Sequence, residues 1–407
     1  MASIVIVGGG AGGDATAFGL RRAGFDDEIV LISADASRPY ERPLLSKDVL
    51  VGRRDAGAVF LRTEQAYEAA RIDLRLGTRV VGGDRERRVL TLHTGDTLAY
   101  DTLVLATGSE PVRPPWAPGA DNVHLLRTLS DAIRLRESLR RGTRLLIVGA
   151  GFLGCEVASS ARAVGCHVTL CDIAEAPLAC AVAAEVGARW AALHRGHGVD
   201  VHMRSGVTDW EVRDRRVVAC TLADDTRHAV DTVLLAVGAQ PELALARQLE
   251  LAEDDGGVAV DDHLRAAPNI HCVGDIAAHL HPVYEERLRV EHWQVAQRQG
   301  EWCGALLAGA TGGPLLELPW FWSDQYDVQL THVGWGRQAD TSIVRGDIDS
   351  WHYSVFALHG GRVVSVLGVN DARTVRRARR LISSRRSVEP ADLADVDRDL
   401  QELAEVA

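Results

Sequence analysis

The stretch SIVIVGGGAGGDATAFGLRRAG, Ser3 to Gly24, decides the fold. Four β-branched residues, Ile4 to Val7, run into Gly8, Gly10 and Gly13, and a helix of small residues follows at once. Strand, glycine turn and helix in that order make a dinucleotide-binding unit. Gly8 permits the tight turn, Gly10 lets backbone approach a pyrophosphate, and Gly13 lets the helix pack close to the strand. The helix N–H groups face the phosphates. An isolated glycine triplet is as often an ordinary turn, but here a second strand, Glu28 to Ile32, completes the unit.

At 407 residues the chain exceeds a single core and divides into two or three domains. A net charge of -11 disfavours nucleic acid and anionic membrane as partners. No apolar run approaches the roughly 20 residues that cross a bilayer, and no charged region precedes the first apolar stretch. The expectation is a soluble, cytoplasmic protein. Seven scattered cysteines do not form a secreted disulfide framework, and no metal-ligating set is assigned. Among 45 basic residues the only lysine is Lys47. A chain that uses arginine everywhere else keeps a compact ammonium there, which points to a site where a guanidinium does not fit.

Beyond Ile32 a ribose-binding acid is expected, and Asp35 stands a little late for it. RPYERPLLSKDVL, Arg38 to Leu50, offers Arg42 and Lys47 to a cofactor with phosphates and an electron-rich ring. Leu74 to Tyr100 reads as a small antiparallel hairpin system. A buried strand then leaves through Gly108 and prolines, which marks a domain crossing.

A second copy of the opening unit follows. Arg144 to Asp172 repeats strand, Gly149, Gly151, Gly154, helix and strand. Asp172 lies at the end of the second strand, where it accepts both hydroxyls of an adenosine ribose. No basic residue occurs between Asp172 and Arg189, so a 2′-phosphate finds no partner and the site favours NADH over NADPH. Asp231 to Glu242 echoes the earlier crossing, with Gly238 before Pro241 as Gly108 stands before Pro111. NIHCVGDIA, Asn269 to Ala277, reads as a strand ending at Gly274 and Asp275 before a helix. That carboxylate can accept hydrogen bonds from a polyol.

From Pro314 the pattern changes to alternating strands and a basic helix. Trp320 and Phe321 read first as core. Seven arginines without an acid, between Asp371 and Glu389, precede seven acids with one arginine. Such blocks are a solvated surface or a docking patch for an acidic partner. Cys166 and Cys171 have the spacing of a redox disulfide, but five strand steps of about 3.3 Å put them beyond the roughly 7 Å that a disulfide spans.

RPYERPLLSK, LRTLSDA (Leu126 to Ala132), VEHWQVAQRQG (Val290 to Gly300) and WFWSDQY (Trp320 to Tyr326) carry a resemblance. The chain resembles the FAD-dependent, NADH-using ferredoxin reductases that serve Rieske dioxygenases and bacterial haem-thiolate monooxygenases, within the glutathione-reductase-like flavoproteins. The fold implied is α/β: two Rossmann-like three-layer nucleotide-binding domains plus a C-terminal α+β domain. The FAD domain spans 1–115 and 240–315, the NADH domain 116–239 and the C-terminal domain 316–407. The resemblance implies FAD contacts at Gly12, Ala34, Asp35, Arg42, Lys47, Val80, Arg127, Asp275 and Trp293, and an NADH site at Gly149, Gly151, Phe152, Leu153, Gly154, Glu156 and Asp172. The cofactor-binding set also takes in Gly8, Gly10, Gly13, Ala106, Thr107, Gly108, Gly238, Gly274, Glu291, His292 and Trp322. Relatives carry an acid where this chain has Ala34.

In similar proteins the residues matching Lys47 and Glu156 meet beside the flavin's reactive edge, and both are the catalytic candidates. The implied partner is an acidic two-iron, two-sulfur ferredoxin, bound transiently, that feeds a haem-thiolate or Rieske oxygenase. Trp322, Arg298 and Arg373 to Arg380 are candidates for its contact. Two rival readings stand beside this one: an NADH oxidase or disulfide-type reductase, which needs a cysteine near the flavin that residues 42–47 do not supply, and a flavin-holding interaction protein that responds to NADH.

Overall fold

In the computed structural model, residues 2–179, 181–310 and 312–405 are described. Ser3–Val7 is the third strand from one edge of a six-stranded sheet. Glu28–Ile32 and then Ile72–Arg75 flank it on one side, and Thr102–Leu105, Ile270–Cys272 and Arg265–Ala267 on the other. All pairs but the last are parallel. Strands buried on both faces read as unbroken apolar runs, as IVIV and EIVLI do.

The second glycine unit rebuilds the same order. Val199–Met203, His167–Asp172, Arg144–Val148, Thr232–Leu235 and Val123–His124 make a five-stranded sheet that is parallel throughout. In each copy a three-stranded antiparallel meander follows the third strand: Val80–Asp84, Val89–Leu92 and Thr97–Ala99 in the first, Val207–Arg213, Arg216–Leu222 and Arg227–Ala229 in the second. Leu74 belongs to the parallel sheet, so the hairpin system begins at Val80 rather than at Leu74. The two crossings, Ser109–Pro111 and Ala239–Pro241, pair with each other antiparallel and tie the units together.

Two close approaches locate the first glycine loop. A Cβ on Gly13 would stand 1.9 Å from the Gly8 carbonyl oxygen, and one on Gly154 would stand 1.9 Å from that of Gly149. Helix and loop therefore touch through bare backbone in both copies. The opening helix, Ala11–Arg22, lies against Trp293–Leu307, where a Cβ on Gly300 would come within 2.3 Å of Gly12 O. Nearer the start of Trp293–Leu307, Ala296 O would stand 3.3 Å from a Cβ on Gly12, so this helix lies against the loop.

The C-terminal unit is a five-stranded antiparallel sheet, in the order Trp320–Gln325, Val328–Gly334, Arg362–Val369, His352–His359, Thr341–Asp347. Ala372–Ser384 covers it with Val375, Ala378, Leu381 and Ile382. Among the described residues no helix is long and apolar enough to cross a membrane.

Candidate functional site

At the first loop two guanidinium groups converge on one carboxylate. Asp275 Oδ2 accepts from Ser109 Oγ at 2.6 Å and from Arg127 Nη2 at 2.8 Å. Burial alone would raise the Asp275 carboxyl, but Arg127, the Ser109 hydroxyl and Arg42 outweigh it and hold it below the usual range. Gly108 lies between the two cations: its Cβ would stand 3.5 Å from Arg127 Nη2 and 3.9 Å from Arg42 Nη1. Burial, and then Arg127, push Arg42 below its ordinary value. Arg42 makes no ion pair among the described residues. Arg127 Nε and Trp293 Nε1 are buried without a hydrogen-bond partner. Two half-buried cations, of which only Arg127 is paired with Asp275, an orphaned Arg127 Nε and a bare-backbone loop are the features a dinucleotide diphosphate satisfies. FAD fits this cradle.

No helix follows Asp275. Gly274–Ile276 is a single 3₁₀ turn, and Ala277–His281 is a strand pairing Glu286–Arg289 and Gly257–Val260. The helix terminus near this turn is Trp293–Leu307, and its Gln299 Oε1 accepts from Gly274 N at 2.7 Å. Asp35 is already engaged, accepting from Tyr40 OH at 2.9 Å and Ser37 N at 2.9 Å. In register, Ser33 rather than Ala34 or Asp35 stands where Asp172 stands in the second copy.

Asp172 Oδ2 accepts from Ala150 N at 2.6 Å and Oδ1 from Ala174 N at 2.8 Å, which fixes it beside Gly149 and Gly151. A Cβ on Gly151 would meet nothing within 4 Å, so the loop is open to a ligand. The sequence reading that no basic group is near is corrected here. Asp172 pairs with Met203 on the neighbouring strand, so Arg204 lies alongside, its N–H donating to Ala174 O at 2.8 Å. Its guanidinium is ion-paired with Glu175. Glu175 thus holds the one guanidinium that the strand register brings beside Asp172. Asp172→Ala is expected to lower kcat/KM for NADH roughly 10- to 100-fold, since hydrogen bonds to a charged group contribute about 1.5–3 kcal/mol. Glu175→Ala, by releasing Arg204, is expected to raise kcat/KM for NADPH and leave NADH nearly unchanged. Steady-state assays with ferricyanide read both.

A cleft of about 760 Å³ is lined by Lys47, Trp293, Trp322, Asp324 and Tyr326 together with Ser159 and Ser160 from the second unit's helix. Lys47 Nζ is 3.3 Å from Glu156 Oε1 and 3.0 Å from Asp324 Oδ2. Glu156 rises one turn into the helix Phe152–Ala163, behind Gly151. It also accepts from Ser46 Oγ at 2.5 Å and Ser323 Oγ at 2.7 Å. Burial pushes its carboxyl above the usual range, and Lys47 and the two hydroxyls only partly offset this.

Sequence reasoning paired Lys47 with Glu156 but missed Ser46, Ser323 and Asp324. The signal was present in WFWSDQ: alternation along the strand turns Phe321, Ser323 and Gln325 inward, and two buried polar residues in three inward positions mark a network. Phe321 is indeed buried, between His292 at 4.2 Å and His332 at 5.0 Å, with the Phe152 ring edge-on at 4.9 Å. Burial pulls His292 down to about 4 and His332 to about 3, so both rings are neutral at pH 7.

Of the remaining candidates, Gly8 lies against the Ala106 carbonyl, and Thr107 Oγ1 donates to Glu242 O at 2.9 Å. Gly12 faces Val273, Gly10 faces the Arg42 guanidinium, and Leu153 packs on the second core. Val80 begins the first meander, Glu291 is ion-paired with Arg289, and Gly238 precedes the paired crossing strand. Four of the seven arginines after Asp371 pair with acids: Arg377 with Asp399, Arg379 with Glu317, Arg380 with Glu405 and Arg385 with Glu285. Most of the basic block is thus neutralised within the fold. The six described cysteines are buried, and Cys180 lies outside the described residues. Burial raises the thiols of Cys166, Cys171, Cys220, Cys272 and Cys303.

Comparison with known proteins agrees with this geometry. Residues 2–300 match the family described as pyridine nucleotide-disulphide oxidoreductase, and residues 320–404 match a reductase C-terminal family. Putidaredoxin reductase of Pseudomonas putida is 38% identical, over 100% of this chain and 97% of that protein. The ferredoxin–NAD(+) reductase component of the anthranilate 1,2-dioxygenase system of Burkholderia cepacia is 40% identical, over 96% of each. The crystal structure of a covalent putidaredoxin reductase–putidaredoxin complex superposes with a TM-score of 0.95 at 37% identity, covering 99% of this chain and 98% of that one.

Proposed function

The chain belongs to the pyridine nucleotide-disulphide oxidoreductase family, and from that premise we propose how it works as an FAD-containing, NADH-dependent ferredoxin reductase. Lys47 and Glu156 order the site of hydride transfer. A two-iron, two-sulfur ferredoxin takes the electrons to a haem-thiolate or Rieske oxygenase. The observation that carries the reading is Lys47 Nζ held between Glu156 and Asp324 in a cleft shared by both nucleotide units.

The chemistry that FAD would supply when bound is the conversion of a two-electron hydride donor into single-electron delivery. The chain supplies the rest. Arg42 and Arg127 neutralise the diphosphate, and Asp275 accepts from the polyol. Asp172 holds the adenosine ribose of NADH, with Gly149–Gly151 offering backbone N–H groups to its phosphates. Lys47, 17% exposed, fixes one positive charge at the wall of the cleft, where partial burial makes it act more strongly than in bulk solvent. Glu156, held by two serine hydroxyls, orients that ammonium.

A disulfide-type reductase needs a reactive thiolate, and the residues at this site offer none. Residues 42–47 contain no cysteine, and the buried thiols of Cys171 and Cys303 are pushed up to about 12. Anaerobic titration with NADH is expected to bleach the flavin stoichiometrically. With a two-iron, two-sulfur ferredoxin added, reduction of that acceptor continues to turn over. Raising salt should slow ferredoxin reduction and leave flavin reduction unchanged, because only the former requires two charged surfaces to meet. A flavin that NADH bleaches but that no ferredoxin reoxidises would favour the interaction-protein reading.

A further inference from the structure

We propose that Asp200, His202 and His228 form a binding site for a divalent cation of the zinc class at the open edge of the second parallel sheet. Asp200 and His202 are two apart on Val199–Met203, so their side chains share a face, and that strand is the sheet's edge. The second meander folds back over it and brings His228, on Arg227–Ala229, opposite: the imidazole centroids are 4.8 Å apart. His202 Nε2 is 3.0 Å from Asp200 Oδ1, and His228 Nδ1 is 3.8 Å from Asp200 Oδ2. One ligand atom from each residue lies within 4.8 Å of the others. Zinc bonds of about 2.0–2.2 Å set tetrahedral ligand atoms about 3.4 Å apart, so the widest pair closes by at most about 1.4 Å.

The nitrogens that face away from this point show the orientation more plainly than the distances. His202 Nδ1 is 3.3 Å from Asp224 Oδ2, and His228 Nε2 is 3.1 Å from Thr226 Oγ1, which itself bonds to Asp224. An outer carboxylate or hydroxyl on the distal nitrogen fixes the tautomer and turns the other nitrogen to the ion, which is how metal-ligating histidines are held. His202 Nε2 is also buried and lacks a hydrogen bond of good geometry, although Asp200 stands beside it. Two imidazoles and a carboxylate suit zinc and its neighbours better than calcium or magnesium. Asp200, whose side chain is 58% exposed, leaves room for water as a fourth ligand. The ion would tie the meander to the edge strand. A second cluster, Asp261, Asp262 and His263, lacks this design: Asp261 Oδ1 already caps the N–H groups of His263 and Arg265.

The test is calorimetric titration of zinc sulfate into tag-free, FAD-loaded protein that has been treated with chelator and desalted. One equivalent should bind at micromolar affinity or tighter. His202→Ala and His228→Ala should each weaken binding at least about 100-fold, and Asp224→Asn, which leaves all three ligands in place, about 10- to 100-fold. His263→Ala should leave the isotherm unchanged. The flavin spectrum of each variant reports its fold, and the Asp224 variant reads the site if a ligand variant folds poorly. Absence of zinc uptake by the wild-type protein would overturn the proposal, as would uptake unaltered by Asp224→Asn and both histidine variants.

Discussion

Replacing Lys47 by methionine is expected to slow reduction of the bound flavin by NADH about 100- to 1000-fold, while the purified protein remains yellow. The magnitude is that of removing one preorganised charge or donor from an active site, roughly 2.7–4 kcal/mol. Lys47 is 17% exposed and lies between two carboxylates, so its ammonium is held in place before any substrate arrives. Methionine keeps the stem and deletes the charge. FAD should stay bound, because the proposed diphosphate cradle consists of Arg42, Arg127 and the first loop, not Lys47. Arginine is not a conservative exchange here: a planar five-donor fork cannot take the place of a compact ammonium among Ser46, Glu156 and Asp324. Lys47→Arg should therefore lose most of the rate as well. Glu156→Gln leaves Asp324 to hold the ammonium and is expected to cost only about tenfold, with Ser323 still donating to an amide oxygen at the Oε1 position and Ser46 Oγ turning to accept from the amide NH2. Anaerobic stopped-flow at the flavin band gives all three rates. Equal reduction rates in Lys47→Met and wild type would remove Lys47 from the mechanism.

Much of this architecture is legible in the sequence because its physics is local. A buried parallel strand must be an apolar run, a tight turn over a phosphate must be glycine, and both occur twice. The duplicated meanders and paired crossings are legible only once the first copy is recognised. What the sequence hides is contributed by neighbours in space. Arg204 is distant from Asp172 along the chain and reaches it through parallel register alone. The stretch AAHLH after Asp275 has helix-forming alanines, yet pairing with strands on both sides makes it a strand. The basic block near the C-terminus reads as a solvated surface or a docking patch, and only the fold shows that four of its arginines meet Glu285, Glu317, Asp399 and Glu405. Lys47 was legible for a different reason: its chemistry made it the single exception in an arginine-rich chain.

Asp275→Ala is expected to lower stability by about 3–5 kcal/mol and to yield protein with substoichiometric FAD. Asp275 is 7% exposed, and its carboxylate is the one anion held by Arg127 with Arg42 close by. Deleting one partner of a buried pair leaves an uncompensated charge, which costs about that much. Here the Arg127 guanidinium loses its paired anion and Arg42 a neighbouring one, and the proposed acceptor for the cofactor is lost with them. Asp275→Asn keeps an acceptor for Ser109 Oγ and removes only the charge, so the difference between the two variants separates hydrogen bond from ion pair. The sign with pH follows from the depressed carboxyl. Its stabilisation is fully present above the unfolded-state value near 4, and it is lost as pH falls through the lower folded-state value. The gap in unfolding temperature between wild type and Asp275→Asn should hence be widest near neutrality and should close below about pH 4. Thermal unfolding followed by tryptophan fluorescence across that range measures it. A gap that stayed constant to pH 3, or an asparagine variant as stable as wild type at pH 7, would mean that the two arginines do not depend on this carboxylate.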